Sequence, residues 1–282
     1  MITVENLRFS YTNKPFIESM NFTVRDGEIF GFLGPSGAGK STLQKLLIGL
    51  LPRYGGSVTV NGTEAKHARK SFYQHIGVDF EFPSLYEKLT GRENLRFFSS
   101  LYETHRDIDG LLRAIGLYRD ADKKVAEYSK GMKSRLNFIK ALLHEPRLLF
   151  LDEPTSGLDP SNARVMKDMI LAEKAAGRTV ILTTHNMYDA AELCDRVSFV
   201  VDGAIAALDT PKALMTRHRA VQMTYAYPAP DGALLERSVA LEKTGEDELF
   251  LQLAREGRLA SVHSAEPTLN DVFVEITGRG LQ

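Results

Sequence analysis

The tract Gly34-Pro35-Ser36-Gly37-Ala38-Gly39-Lys40-Ser41, with Thr42 after it, constrains this chain more than any other. It fits the spacing G-x-x-x-x-G-K-[ST] and lies in the setting that gives the spacing meaning. The buried-strand pattern Glu28-Ile29-Phe30-Gly31-Phe32-Leu33 precedes it, and Lys40 to Leu47 continues with helical periodicity. Glycines in such a loop let backbone N–H groups converge on phosphate oxygens, and the helix N-terminus adds a favourable dipole. Lys40 would neutralise charge on the β- and γ-phosphates, and Ser41 would ligate Mg²⁺.

The rest of the chain reads as strands and helices around that loop. Thr3 to Phe9 and Asn21 to Arg25 alternate like edge strands, and Gly56 to Gly62 forms a small β unit. From about Leu85 to Leu143 the pattern is helical, broken near Asp107 and Asp120. Strand signals return at Leu148–Leu151 and Thr179–Leu182, with a helix over about Asn162–Ala176 between them. That alternation predicts an α/β fold with a parallel sheet and an inserted helical subdomain. Ala204 to Leu208 is expected to be the last strand of this domain.

Beyond Arg217 the character changes. Two alternating runs, Val221–Tyr227 and Ser238–Leu241, flank the turn-like Pro228-Ala229-Pro230-Asp231-Gly232. A helix over Glu248–Arg255, a strand near Leu259–His263 and a final helix from Thr268 to Ile276 would follow. The expected division is a domain over 1–215 and a small α+β domain over 216–282.

Composition excludes several classes. A net charge of −1 gives no bulk attraction to nucleic acid or anionic lipid, so no nucleic-acid partner is expected. The single Cys194 can form no internal bridge, which points to a reducing compartment. Met1-Ile2-Thr3-Val4-Glu5 lacks the basic start and apolar run of a signal peptide. No apolar stretch approaches the roughly 20 residues that span a bilayer, so the chain is not expected to cross a membrane by itself.

A second chemical signal lies downstream. The apolar run Leu148-Leu149-Phe150-Leu151 ends in Asp152 and Glu153. At the end of a strand the Asp152 carboxylate can reach the Mg²⁺ of the same nucleotide. Glu153 would point toward the γ-phosphate, where a base or water-orienting group is needed. A short Ser-x-Gly turn, Ser129-Lys130-Gly131-Met132, lies one helix ahead of this strand, and Ser156-Gly157-Leu158-Asp159 follows it.

With these residues in view, residues 1–215 resemble the nucleotide-binding subunit of an ABC transporter. The resemblance implies a P-loop NTPase domain with a RecA-like core, an antiparallel β subdomain and a helical subdomain. Tyr11 matches the aromatic that stacks on adenine. Ser129, Lys130, Gly131 and Met132 match the signature turn, which contacts the γ-phosphate held by the opposite subunit. Ser156, Gly157, Leu158 and Asp159 match the loop linking the two sites. His185, after Leu182-Thr183-Thr184, matches the switch histidine, which could donate a hydrogen bond to the γ-phosphate. The family works as two subunits head to tail around two ATP molecules and Mg²⁺, here implying a homodimer.

Three departures refine the resemblance. The family places a glutamine where this chain has Glu81, counted from Ile76-Gly77-Val78 and anchored by Pro83-Ser84-Leu85-Tyr86. A carboxylate there can still bind Mg²⁺, which prefers oxygen ligands, but adds negative charge beside Glu153. Lys130 stands where the signature often has glycine, facing either the opposite phosphate or solvent. Met132 stands in place of glutamine, and Lys-Gly-Met is similar to ATPases serving ABC-2 exporters. The tail from Glu266 to Gly278 resembles the C-terminal motif of drug-resistance-type ABC-2 ATPases.

The implied function is ATP hydrolysis for an ABC-2-type exporter, with a separately encoded membrane permease and a location at the cytoplasmic face of the membrane. Phe82, Leu85, Tyr86 and Leu89 either meet that permease or pack in the core. The alternatives are a soluble non-transport ABC ATPase and a low-turnover nucleotide-gated regulatory subunit, the latter resting on Glu81.

Overall fold

The structure, a computed structural model, describes residues 1–217, 222–229, 232–265 and 267–278. Val221, Pro230, Asp231 and Glu266, which enter the sequence expectations above, lie outside the described residues. Contacts divide the chain into two units, Met1–Thr210 and Pro211–Gly280.

The first unit opens with β1 (Ile2–Phe9), β2 (Ile17–Val24), β3 (Ile29–Leu33) and α1 (Lys40–Leu47). Then come β4 (Gly55–Val60), β5 (Thr63–Glu64), α2 (Lys70–Tyr73) and β6 (Ile76–Asp79). The helical insertion holds α3 (Gly91–Ser99), α4 (Ile108–Ala114) and α5 (Lys130–Leu142). The unit closes with β7 (Leu148–Asp152), α6 (Pro160–Ala175), β8 (Thr179–Thr184), α7 (Met187–Leu193), β9 (Arg196–Val201) and β10 (Ala204–Asp209).

Two sheets result. One is antiparallel in the order β2-β1-β4-β5. The apolar residues of β1 fall at 2, 4, 7 and 9, so their parity changes in mid-strand. One extra residue is needed to keep all four on one face, and a bulge supplies it between Val4 and Leu7. Asn6 takes the left-handed conformation there (φ 48°), and its N–H donates to Asn21 Oδ1 at 2.7 Å.

The second sheet runs β10-β9-β3-β8-β7-β6. Neighbours from β9 to β6 pair in parallel, and β10 closes the edge antiparallel to β9. The expected last strand is therefore an antiparallel edge. Strand β9 was not among the sequence expectations, although Val197-Ser198-Phe199-Val200-Val201 carries its signal. All residues of β3, β7 and β8 are buried, as befits parallel strands covered on both faces. Phe22 of β2 meets Phe30 and Phe32 of β3 at 6.0 and 5.3 Å between ring centroids, joining the two sheets in one core.

Caps give the helical insertion its boundaries. Thr90 and Glu93 form a reciprocal capping box on α3, Asp107 caps α4, and Ser129 caps α5 by accepting from the Met132 N–H. The break near Asp107 is thus a helix start, and that near Asp120 is a single 3₁₀ turn over Tyr118–Asp120. Just past α5, His144 stacks on Tyr102 (3.7 Å between centroids, 5° between planes) and its Nε2 lies 3.0 Å from the Ile76 carbonyl.

The second unit contains α8 (Pro211–Arg217), β11 (Gln222–Pro228), β12 (Leu234–Ala240), α9 (Glu248–Arg255), β13 (Ser261–Ala265) and α10 (Leu269–Thr277). Its sheet is antiparallel in the order β12-β11-β13. Helix α8, which the expected division at 215 would have cut, packs with α10. Strand β12 starts at Leu234, ahead of the expected Ser238, and β13 starts at Ser261 after the expected Leu259. Tyr225 is fully buried and its hydroxyl donates to Asp247, which also caps α9. Thr268 and Asp271 cap α10, whose buried face is Leu269, Val272 and Phe273, with Ile276 half-buried. Among the described residues no helix is long and apolar enough to cross a membrane.

Burial pushes the His144 imidazole down to about 4. Its folded value then lies below the unfolded value near 6.5, so between those two values the unfolded chain binds more protons. Stability is therefore lost as pH falls through that window. Glutamine can keep a hydrogen bond to a carbonyl without titrating. The difference in Tm between the unsubstituted chain and His144→Gln should shrink or reverse from pH 7 to pH 5; a pH-independent difference would contradict the assignment.

Candidate nucleotide site

Three neighbouring parallel strands end level with one another. Leu33 of β3 sits opposite Thr184 of β8, and Asp152 of β7 sits opposite Thr183. On the far side of β7, Asp79 of β6 sits opposite Leu151. The chain leaving these carboxyl ends carries the glycine loop, His185, Glu153 and Glu81. Crevices at such strand ends are where open α/β sheets bind ligands.

A cavity of about 260 Å³ lies there. Ser36, Gly37 and Gly39 to Thr42 form one wall, and Glu81, Asp152, Glu153 and His185 form the other. Phe16 also lines it, a residue that sequence reading missed. Its ring sits 5.7 Å from that of Tyr11, and the Tyr11 hydroxyl lies 2.9 Å from Thr42 Oγ1. Tyr11 is 58% exposed and does not line the cavity. Gly34, Pro35 and Ala38 shape the loop from behind: a Cβ on Gly34 would overlap the Val200 carbonyl oxygen. Gly39, at φ 108°, turns the loop into α1.

Lys40 is buried, and its Nζ donates to the carbonyls of Gly34 at 2.7 Å and Pro35 at 3.0 Å. Burial lowers its pKa, while Glu153, Asp152 and Glu81 act in the opposite sense. Asp152 is buried and accepts a hydrogen bond from the Thr183 hydroxyl. Glu153 follows in the left-handed conformation at φ 51°, an uncommon state for a residue with a side chain. Its N–H donates to the Thr183 carbonyl at 2.9 Å. Its carboxylate accepts from the Thr184 hydroxyl (3.0 Å) and the His185 N–H (3.0 Å), with His185 Nδ1 at 2.8 Å.

Ser41, Asp152 and Glu81 thus bring three oxygen donors to one cavity beside a buried ammonium. Hard oxygen donors few in number suit Mg²⁺ shared with phosphate oxygens, so the side chains present fit a Mg²⁺-nucleotide.

Ser129, Gly131 and Met132 do not line this cavity. They lie with the loop after β7 instead. A Cβ on Gly131 would sit 3.4 Å from Leu158 Cδ2, and one on Gly157 would sit 3.4 Å from Lys130 Nζ. Lys130 is exposed and lines a neighbouring cavity of about 200 Å³ with Glu81, Glu153 and Ser156. Asp159 is committed to capping α6 through the Asn162 N–H. Beside these, Phe82 is 78% and Tyr86 50% exposed, whereas Leu85 and Leu89 are half-buried.

The sequence pattern of the family described as ABC transporter matches residues 17–156. A fluoroquinolones export ATP-binding protein of Mycobacterium tuberculosis is 51% identical over all of this chain and 94% of its own length. A Nod factor export ATP-binding protein I of Mesorhizobium japonicum is 36% identical over 97% of this chain and 85% of its own length. Among solved structures, an ATP-binding subunit of an ABC transporter superposes with a TM-score of 0.71 at 31% identity, covering 77% of this chain and 92% of that one. A dimeric ATP-binding cassette bound to ADP and Pi, at 23% identity and a TM-score of 0.66 over 74% of this chain and 98% of that one, shares the fold.

Proposed function

Because this chain belongs to the ABC transporter family, among ATP-binding subunits of exporter type, we propose that it hydrolyses Mg²⁺-ATP as a head-to-tail homodimer. In this reading it drives a separately encoded ABC-2-type permease from the cytoplasmic face of the membrane. One observation carries the reading. Lys40, Ser41, Glu81, Asp152, Glu153 and His185 face one cavity, while the signature turn and Ser156–Asp159 lie together outside it. A chain built this way supplies half of each of two sites.

In that role the glycine loop and the start of α1 bind the phosphates, with Lys40 turning from its loop carbonyls to the β- and γ-oxygens. Tyr11 and Phe16 offer aromatic surface to the base. Ser41, Asp152 and Glu81 would hold Mg²⁺, which when bound neutralises charge on the β- and γ-phosphates. Glu153 takes the proton of the attacking water as its oxygen bonds to the γ-phosphorus and the β–γ bridge breaks. ADP and inorganic phosphate result. His185 orients Glu153 and touches the γ-phosphate. Ser129, Lys130, Gly131 and Met132 complete the partner copy's site, and Ser156, Gly157, Leu158 and Asp159 join the two. Phe82 and Tyr86 offer apolar surface to the permease.

A slow-turnover form of this reading is favoured by one feature. Glu81 sets a third carboxylate in the cavity wall, where repulsion disfavours negative charge building up near Glu153.

Glu153→Gln keeps the side-chain size while removing the base. Turnover should fall by about two orders of magnitude, with ATP converting the purified chain from monomer to dimer in light scattering; a chain that stays monomeric with ATP at all concentrations speaks against the paired site. Glu81→Gln should raise turnover several-fold (on the order of 1 kcal/mol in barrier) and alter the Mg²⁺ profile; unchanged values for both would remove the slow-turnover reading. In the complex with its permease, Phe82→Ala should abolish transport while leaving ATPase activity of the isolated chain within about twofold; retained transport would move the docking surface elsewhere.

A further inference from the structure

The loop after β6 is gripped by α5 on both sides of Glu81 and Phe82. Ahead of them, Asn137 donates through Nδ2 to the Asp79 carboxylate and to the Phe80 carbonyl at 3.2 Å. Behind them, Lys140 donates to the Ser84 carbonyl at 3.2 Å and, at 2.6 Å, to Asn137 Oδ1. Its ammonium also stands 4.9 Å from the Phe98 ring centroid on α3. Asn137 and Lys140 are three residues apart and so share one face of the helix. Asp79 and Asn137 are both buried, 4% and 1% exposed. A buried carboxylate is a costly way to fill space beside Leu151, and an apolar residue would pack there at less expense. What the polar set provides instead is a fixed distance between α5 and the loop.

That distance has two ends of chemical interest. The loop carries Glu81 into the cavity that holds Asp152 and Glu153. The first turn of α5 carries Ser129 to Met132, outside that cavity. We propose that Asn137 and Lys140 are positioning residues: gripping the loop at Asp79, Phe80 and Ser84, they set Glu81 against the metal-nucleotide in this chain's cavity and tie that setting to the signature turn on the same helix. The proposal rests on the function given above. It predicts that loosening the grip acts on Mg²⁺ through Glu81, and not on nucleotide binding in general.

The test uses the full chain and the thermal shift produced by a non-hydrolysable ATP analogue titrated with Mg²⁺. Asn137→Ala should raise the half-saturating Mg²⁺ about tenfold, the scale expected for an outer-shell partner of a metal ligand. The shift given by the analogue without Mg²⁺ should stay within about twofold of the unsubstituted chain. Glu81→Ala should raise the Mg²⁺ requirement similarly, and the double substitution should raise it no further, because both changes act at one ligand. Effects that multiply in the double variant, an unchanged Mg²⁺ requirement in Asn137→Ala, or one in Glu81→Ala, would each overturn the proposal. Should Asn137→Ala not fold, Lys140→Met decides: it removes the hold on Ser84 from a half-buried site, and about a threefold rise that vanishes on the Glu81→Ala background is expected. No rise, or one that persists there, overturns it. Absence of any shift with the analogue in the unsubstituted chain would instead count against nucleotide binding itself.

Discussion

Parallel pairing among β3, β8 and β7 is the constraint on which the site depends. Leu33 opposite Thr184 and Asp152 opposite Thr183 bring three strand ends to one level. The glycine loop, His185 and the carboxylate pair then line one cavity without any long connection. A one-residue slip of β7 against β8 would exchange the faces of Leu148 to Leu151 and take Asp152 away from the Thr183 hydroxyl. Burial on both faces of all three strands is therefore also what holds the geometry of the cavity wall.

Glu153 shows how much of that geometry is enforced by β8. A left-handed conformation at a side-chain-bearing residue costs about 1–3 kcal/mol, and it persists where the surroundings over-determine it. Here the Thr183 carbonyl, the Thr184 hydroxyl and the His185 N–H all bind Glu153. His185 adds its Nδ1 at 2.8 Å. The backbone N–H and the imidazole of His185 thus reach the same Glu153 oxygen, Oε1.

Much of this was legible in the sequence because it rests on short contiguous patterns. The glycine tract lies between a strand and a helix, the Asp152-Glu153 pair ends an apolar run, and Ser129 and Asp107 are capping residues at helix starts. What was not legible depends on partners distant in the chain. The bulge at Asn6 is fixed by Asn21 and by a change of parity that only pairing makes meaningful. Strand β9 and the antiparallel edge β10 follow from lateral order in the sheet, and Phe16 reaches the cavity from β2's approach, beside a loop twenty residues later. Asp79 and Asn137 are 58 positions apart, and neither residue alone distinguishes a buried polar tie from a strand-end or helix-surface side chain.

Helix α5 can carry such a tie because it is capped and anchored. Ser129 fixes its first turn, while Leu136, Phe138, Ile139 and Leu142 are buried within the unit. At 1.5 Å per residue, Asn137 lies about 12 Å along the helix from Ser129. Over that distance a packed helix moves as a body, since close-packed interiors pass displacement on instead of absorbing it. A shift at Ser129, where the proposed function puts a partner's phosphate, then has to move the Asn137 and Lys140 grip, and with it Glu81. In the proposed pair, communication between two nucleotides would require no hinge beyond the loop itself: the same helix would meet one site with its cap and act on the other through the buried Asn137 amide, which holds the loop that carries Glu81.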